Sequence, residues 1–293
     1  MRFQRISVLA GAFALVALVC VAAAGKGKSG GAWQYGEWSP VQSFTSSAGD
    51  AINYYLFTPK AAAEGKKLPL VVWLHGGLKS NGAGGPNFAQ DAFYKDEHQK
   101  DHPCFCLRPV AIKGQNWVSP RGAGTGSHKM PEAPSPSMKA AIELIDKVIT
   151  ECPIDEARLY VVGASMGGYG TWDLIERYPN KFAAAMPLCG GGDPSKAPLL
   201  KDMAVWICHG DKDPYVPVQG SREMFEAIVK ARGEQPVTKD EDSRIVRTSP
   251  DDRVRYHEYK GGNHNAAWDK GLTEPDLAVW FFSKSLAAKK PTP

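Results

Sequence analysis

Along this chain, short unbroken apolar runs alternate with longer stretches in which apolar residues recur every three to four positions. Leu68-Pro69-Leu70-Val71-Val72-Trp73-Leu74, Leu159-Tyr160-Val161-Val162, Phe182–Leu188 and Met203–Cys208 are runs of the first kind. A strand reads this way when both faces are covered, as in a parallel sheet between two helical layers. Ser137–Thr150 is of the second kind, with Met138, Ile142, Ile145 and Ile149 on one helical face. Helices are also expected near 87–100, from Gly168 to about Tyr178, near 218–232 and at 275–287. Further strands are expected at about 41–45 and 52–58, as an antiparallel pair, at 104–112 and at Arg253–Tyr259. The repeated β-then-α order predicts one α/β domain with a mainly parallel central sheet flanked by helices. Two stretches depart from it. The turn-rich segment with Gly122, Gly124, Gly126, Pro131, Pro134 and Pro136 is expected as surface loop, and the charged segment Gly233–Asp252 as an exposed insertion.

The N-terminal pattern changes the boundaries of that domain. Arg2 and Arg5 precede a nearly continuous apolar run, Ile6–Val21, followed by Ala22-Ala23-Ala24. A positive start, an apolar middle and small residues form an export signal. The expected organisation is a signal peptide at 1–24, a flexible segment at 25–40, a catalytic domain at 41–288 and a short tail at 289–293. The product is expected to be secreted or periplasmic, with no stable membrane insertion after cleavage. An uncleaved anchor helix and a lipid on Cys20 are the alternatives, and the bulky Val19 disfavours the lipid. The formal charge of +4 falls to about +2 without Arg2 and Arg5, so no basic face for nucleic acid is expected. Removing Cys20 from six cysteines leaves five, an odd number, and no disulfide framework is expected.

The candidate chemistry starts at Gly163-Ala164-Ser165-Met166-Gly167, between the Leu159 strand and a helix. Serine at the apex of a sharp strand-to-helix turn is held in a strained conformation that lifts its hydroxyl above the sheet. A bare G-x-S-x-G recurs by chance in glycine-rich chains, so its partners decide. A serine needs a histidine to take its proton, and that histidine needs a carboxylate. Both follow in the chain order Ser, Asp, His. Asp213 lies in the loop after the Cys208 strand, before Pro214, and is preferred over Asp211 as the acid. His264 lies in a glycine-led loop after the Arg253–Tyr259 strand. His75 and His209, each before a glycine at a strand end, are expected as structural hydrogen-bonding groups. His75-Gly76-Gly77 lets a backbone N–H approach a substrate carbonyl, so Met166 and Gly77 are the expected oxyanion donors, with Leu78 as the second option. Trp117, Tyr169, Tyr215 and Trp268 are candidate walls of the substrate pocket.

Other chemistries find no pattern here. Cys104-Phe105-Cys106 is too close for a zinc knuckle, Gly82-Ala83-Gly84-Gly85 lacks the ending of a phosphate loop, and no G-x-G-x-x-G opens a helix. Neither a metal nor a nucleotide cofactor is expected. The 14 residues between Leu188 and Met203 are too few for an inserted cap domain, which points to an open site.

Taken together, Leu74-His75-Gly76-Gly77, Gly163–Trp172, Cys189-Gly190-Gly191-Gly192-Asp193, His209–Pro217 and Gly262-Asn263-His264-Asn265 resemble the α/β-hydrolase superfamily. More narrowly they resemble its secreted phospholipase/carboxylesterase and prolyl-oligopeptidase-like "predicted peptidase" groups, with feruloyl and polyhydroxybutyrate esterases as relatives. The resemblance runs from about residue 50 to 287. It implies an α/β-hydrolase fold without a large cap, Ser165 as nucleophile, Asp213 as acid and His264 as base. The function it implies is hydrolysis of carboxylic esters without a cofactor; an open site on an exported enzyme adds the expectation of bulky esters, such as polymeric or plant-polysaccharide-derived ones. A single-domain peptidase and a catalytically inactive binding module are the alternatives. Gly233–Asp252 and Val110–Val118 depart from the resemblance and are expected to reshape the pocket.

Overall fold

The computed structural model describes residues 35–77, 92–119 and 126–286. The expected signal segment, Leu78, Gly122, Gly124, residues 87–91 of the expected 87–100 helix and the tail lie outside the described residues, while 92–95 form turns rather than helix. Strands run as β1 (Glu37–Trp38), β2 (Gln42–Thr45), β3 (Ala51–Thr58), β4 (Leu68–Leu74), β5 (Phe105–Val110) and β6 (Ile154–Ala164). They continue as β7 (Ala184–Leu188), β8 (Ala204–Gly210), β9 (Val237–Asp240), β10 (Arg244–Thr248) and β11 (Val254–Tyr259). The helices are α1 (Asp96–Asp101), α2 (Pro136–Glu151), α3 (Met166–Arg177), α4 (Gln219–Arg232), α5 (Ala266–Gly271) and α6 (Leu277–Phe282).

The strands form one sheet in the order β1-β3-β5-β4-β6-β7-β8-β11-β10-β9, with β2 paired to β3. From β5 to β11 the pairings are all parallel, and antiparallel strands close both edges. This is the α/β-hydrolase fold. All seven residues of β4 are buried, because alternate side chains enter separate cores. Leu70, Val72 and Leu74 join α2, α3 and α4 on one side, while Val71 and Trp73 join α5 and α6 on the other. Full burial of each such side chain contributes roughly 1.5–3 kcal/mol. α2 starts where its sequence signals place it. Ser135 accepts the Met138 N–H at 3.1 Å, Pro136 occupies the first turn, and the Ser135 hydroxyl donates to the Trp117 carbonyl at 2.8 Å.

The structure departs from or refines the expectations at several places. Gly233–Asp252 is largely exposed, as expected, and it is ordered as the β9–β10 hairpin, which extends the sheet beside β11. The hairpin helps to line a groove of about 510 Å³ with Arg255, His257 and Glu274, and none of Ser165, Asp213 or His264 borders that groove. The described part of the turn-rich segment, 126–135, is irregular and mostly at least partly exposed, as expected, but Gly126 itself is buried at φ 80° with its backbone packed on those of Gly220 and Gly191, and Pro136 belongs to α2. The segment expected to be flexible up to residue 40 carries β1, paired with β3. Helix α5 was not expected from the sequence, and α6 is shorter than the expected 275–287 helix.

Glu274, between α5 and α6, ties this end of the sheet together. Its buried carboxylate accepts from Arg244 of β10, from His257 Nδ1 at 3.0 Å and from the Tyr259 hydroxyl at 2.7 Å. Burial alone would raise its pKa, but these donors outweigh burial and lower it from 4.5 to about 2. A depressed carboxylate pKa contributes stability above the unfolded value that is lost as pH falls through the folded one. The Glu274 contribution is therefore complete above about pH 4.5 and disappears towards about pH 2. Glu274→Ala is expected to lower Tm by roughly 5–10 °C at pH 7, and by much less near pH 2.5. Thermal unfolding at the two pH values checks this, and an equal shift at both would contradict it.

Candidate active site

The sheet order reverses at β4, since the chain passes from β4 to β5 on one side of it and then to β6 on the other. At such a switch point the carboxyl ends of the strands leave a crevice. The turns after β4 and β6 meet there. Ser165 sits directly after β6 at φ 56°, ψ −115°, a conformation that costs a non-glycine residue of order 1–3 kcal/mol. Its N–H is anchored on the Leu188 carbonyl at 2.9 Å. The flanking glycines are required by contact. A Cβ on Gly163 would overlap the Gly167 carbonyl, and one on Gly167 would overlap the Leu74 carbonyl at the end of β4.

The two partners arrive from β8 and β11. His264 Nε2 lies 3.0 Å from Ser165 Oγ, and His264 Nδ1 lies 2.6 Å from Asp213 Oδ2. The Asp213 side chain is fully buried and that of His264 nearly so. Burial opposes the charge on Asp213. Hydrogen bonds from His209, His264 and the Val216 and Tyr215 N–H groups win, and hold its pKa well below the usual carboxylate range. An ionised carboxylate only accepts, so His264 Nδ1 carries the ring proton and Nε2 faces the serine hydroxyl as acceptor. The two loops also hold each other, with the Lys212 N–H on the Gly262 carbonyl at 2.9 Å. Gly210 has no room for a Cβ against the Gly262 and Asn263 carbonyls. Asp211 takes no part in this contact; its N–H bonds the Tyr259 carbonyl at 3.1 Å.

The turn after β4 lies beside the serine. A Cβ on Gly76 would stand 3.4 Å from the Ala164 carbonyl and 3.6 Å from Ser165 Cβ. His75 secures the turn. Its Nε2 accepts the Ala111 N–H at 3.0 Å, which leaves Nδ1 to donate to the Gly76 carbonyl at 2.8 Å. Gly77 is exposed with open space around its Cα, and Met166 is the first residue of α3, where an N–H has no carbonyl partner in the helix.

Of the four aromatic residues expected to wall a pocket, two are placed beside the site. The Tyr215 and Trp268 rings stand edge-on to His264, with centroids 5.3 Å and 5.1 Å away, and Tyr215 is 77% exposed. Trp117 and Tyr169 are corrected to core residues, at 0% and 2% exposure. Trp117 donates to the His75 carbonyl at 3.0 Å, and so props the Gly76–Gly77 turn from below.

Cys189 is fully buried, and its sulfur lies within 4.8 Å of ligand atoms on Asp213 and His264. Burial, then the Asp213 charge, keep this thiol well above its ordinary pKa. A protonated thiol is a poor metal ligand, so the trio does not suit a metal. All five cysteines of the described residues are free thiols.

Comparison with known proteins places this arrangement in a family. The model of the Esterase family, described as "Putative esterase", matches residues 45–278. The chain belongs to the esterase family. A thermostable esterase of known structure superposes on this family member with a TM-score of 0.68 at 32% identity, covering 84% of the chain and 63% of its own. The acetyl xylan esterase of Aspergillus awamori shares the fold, with a TM-score of 0.61 at 17% identity over 83% of this chain and 99% of its own. A bifunctional acetylxylan esterase/xylanase of Neocallimastix patriciarum is 29% identical over 102 residues, 35% of this chain. The acylamino-acid-releasing enzyme of Arabidopsis thaliana is 25% identical over 183 residues, 58% of this chain. The esterase-family chain spans only 15% and 21% of the length of those two relatives.

The Gly167 contact yields a direct test. Gly167→Ala forces its methyl group into the Leu74 carbonyl and is expected to destabilise the fold by roughly 3 kcal/mol. A Tm unchanged within 2 °C or so would show that the first turn of α3 does not depend on this approach.

Proposed function

We propose that this chain is a serine hydrolase of carboxylic esters, with Ser165 as nucleophile, His264 as general base and acid, and Asp213 as the orienting carboxylate. The observation that carries the proposal is the continuous hydrogen-bonded line Ser165 Oγ–His264–Asp213 at the carboxyl edge of the parallel strands. Ser165 Oγ attacks the ester carbonyl carbon as its proton passes to His264 Nε2. The carbonyl oxygen becomes an oxyanion, held by the N–H groups of Met166 and Gly77. Collapse breaks the bond to the alcohol oxygen, which takes the proton from His264 and leaves. Water, deprotonated by His264, attacks the acyl-serine, and His264 returns the proton to Ser165 Oγ. Apart from water, each reacting group comes from the chain.

On this reading Ser165→Ala lowers kcat roughly 10⁴-fold or more, and Asp213→Asn lowers it about 10³–10⁴-fold by releasing the wrong tautomer. Asp211→Asn stays within about threefold, since the substitution keeps the side chain's shape and Asp211 lies outside the Ser165–His264–Asp213 line. Labelling by a fluorophosphonate probe, followed with ester turnover, tests all three. A wild-type protein that takes no label at Ser165 would end the hydrolase reading.

Tyr215 and Trp268 flank the imidazole that protonates the leaving alcohol, so we assign them to the alcohol side of the substrate. The short connection from β7 to β8, filled by a 3₁₀ segment at Pro194–Leu200, supports an open site that accepts bulky esters, such as acylated or feruloylated polysaccharide. The leader pattern at residues 1–24 supports export to where such polymers lie. Loss of one ring contact worth about 1–1.5 kcal/mol would raise KM roughly tenfold. Tyr215→Ala is expected to do so for aryl and sugar esters, with kcat and the KM of ethyl esters little changed. Equal effects on ethyl and aryl esters would remove Tyr215 from the alcohol side. The relationship to an acylamino-acid-releasing enzyme keeps a peptidase as the second reading. Matched ester and amide substrates separate the two.

A further inference from the structure

The Asp213 carboxylate is shared by two histidines. Oδ2 accepts from His264 Nδ1 at 2.6 Å and lies 3.2 Å from His209 Nε2, while Oδ1 accepts the Tyr215 and Val216 N–H groups at 2.8 Å and 2.9 Å. His209, in the last turn of β8, has 0% exposure. Its Nε2 also stands 3.0 Å from the Val216 carbonyl oxygen, and its Nδ1 stands 2.7 Å from Ser221 Oγ. A carbonyl and an ionised carboxylate both only accept, so Nε2 carries a proton; it donates to the Val216 carbonyl, and Asp213 Oδ2 at 3.2 Å is its second, charge-assisted contact. The Ser221 hydroxyl, buried in the first turn of α4 and 3.1 Å from the Gly190 carbonyl, fixes the opposite edge of the ring. The imidazole is therefore held at both edges. A residue that merely filled this space would be apolar, because a buried polar ring costs stability unless both nitrogens are matched.

Resting on the Ser165–His264–Asp213 reading above, we propose that His209 is a positioning residue for the hydrolysis. Its Nε2–H holds Asp213 Oδ2 in line with His264 Nδ1 and takes up part of the carboxylate's charge. Both effects reach the chemistry through Asp213. With Oδ1 pinned by two backbone amides and Oδ2 by two rings, the carboxyl plane cannot rotate away when His264 becomes an imidazolium. A displacement of about 1 Å in such a contact costs on the order of a hundredfold in rate. A carboxylate with one donor fewer is more basic and binds the imidazolium more strongly, so removing the His209 donor moves the acid limb of activity to higher pH. The charged groups facing His209 are Asp213 and His264 from the two loops, and Glu258 beside it on β11. Glu258 is committed elsewhere, to Arg222 of α4 and the Tyr256 hydroxyl, so Asp213 is the carboxylate that His209 serves.

Two amide substitutions separate this role from packing. The Gln side chain brings its amide nitrogen to the place of Nε2, whereas the shorter Asn reaches only the Nδ1 edge and Ser221. The wild-type full chain is first labelled with a fluorophosphonate, and absence of Ser165 label there would fault the hydrolase reading rather than this one. Given labelling, His209→Gln is expected to keep about a third of kcat with the acid limb of kcat/KM in place. His209→Asn is expected to lose kcat roughly 30–100-fold, with KM changed less than about threefold and the acid limb raised by about half a unit or more. Equal losses in both variants, or an acid limb that moves in neither, would overturn the proposal. Should His209→Asn fail to fold by circular dichroism, His209→Gln decides alone, and a hundredfold loss in it overturns the proposal.

Discussion

A backbone-on-backbone contact underlies the whole arrangement: the first turn of α3 is pressed against the end of β4 so closely that neither Gly163 nor Gly167 has room for a Cβ. That contact is what turns the chain through the strained Ser165 conformation. The strain persists because several fixed points over-determine it, namely the Leu188 carbonyl on the Ser165 N–H, the Leu74 carbonyl against Gly167, and the Tyr169 N–H on the Ser165 carbonyl at 3.1 Å. The same closeness brings the Gly76–Gly77 turn beside the serine. On the proposed reading, nucleophile and oxyanion donors are thus set by one contact between α3 and the end of β4, and the His75 and Trp117 hydrogen bonds below it keep the second turn from drifting.

The other half of the site rests on a different principle, saturation of a buried carboxylate. Asp213 meets donors from its own loop, from β8 and from the loop after β11, and Glu274 meets donors from β10 and β11. In each case burial works against the charge and the converging donors overcome it. Removing any single donor leaves a buried charge short of a partner, which costs more than the bond itself contributes. These two carboxylates stitch the β8 and β11 ends together, with Glu274 fixing the strand whose following loop delivers His264. Structural and catalytic demands on this edge therefore coincide.

What the sequence disclosed, and what it withheld, follows from where the determining forces act. Ser165, Asp213 and His264 stood out because each lies in a turn or loop just past a strand, marked by Gly, Asp, Asn or Pro, and such turns are specified locally. The parallel strands were legible because burial on both faces leaves continuous apolar runs. The β9–β10 hairpin was not: β9 is wholly exposed and β10 half-buried along its length, so neither has the alternation that marks a strand. Helix α5, at six residues, is too short to show a period. Trp117 and Tyr169 were misplaced because an aromatic near a strand end looks the same whether tertiary packing turns it inward or outward. The link from His209 to Asp213 was missed for a related reason. The spacing of four residues was visible, but it acquires meaning only in a loop that folds the carboxylate back over the ring.

These two kinds of control also explain why chemistry and specificity can be altered separately on this scaffold. Tyr215 contributes to both, through different atoms. Its N–H is one of the donors that keep Asp213 ionised, while its ring projects into solvent beside His264. Any residue other than proline at this position retains the N–H, so the ring can be exchanged without disturbing the charge on which His264 depends. Met166 and Gly77 are placed to act through backbone groups in the same way. The reacting line is thus set largely by the main chain and by buried side chains, which tolerate little change. On the proposed reading, recognition of the alcohol is left to the exposed Tyr215 ring and the half-buried Trp268, and this is the physical reason a residue pattern can point to the reaction while leaving the substrate to the side chains around it.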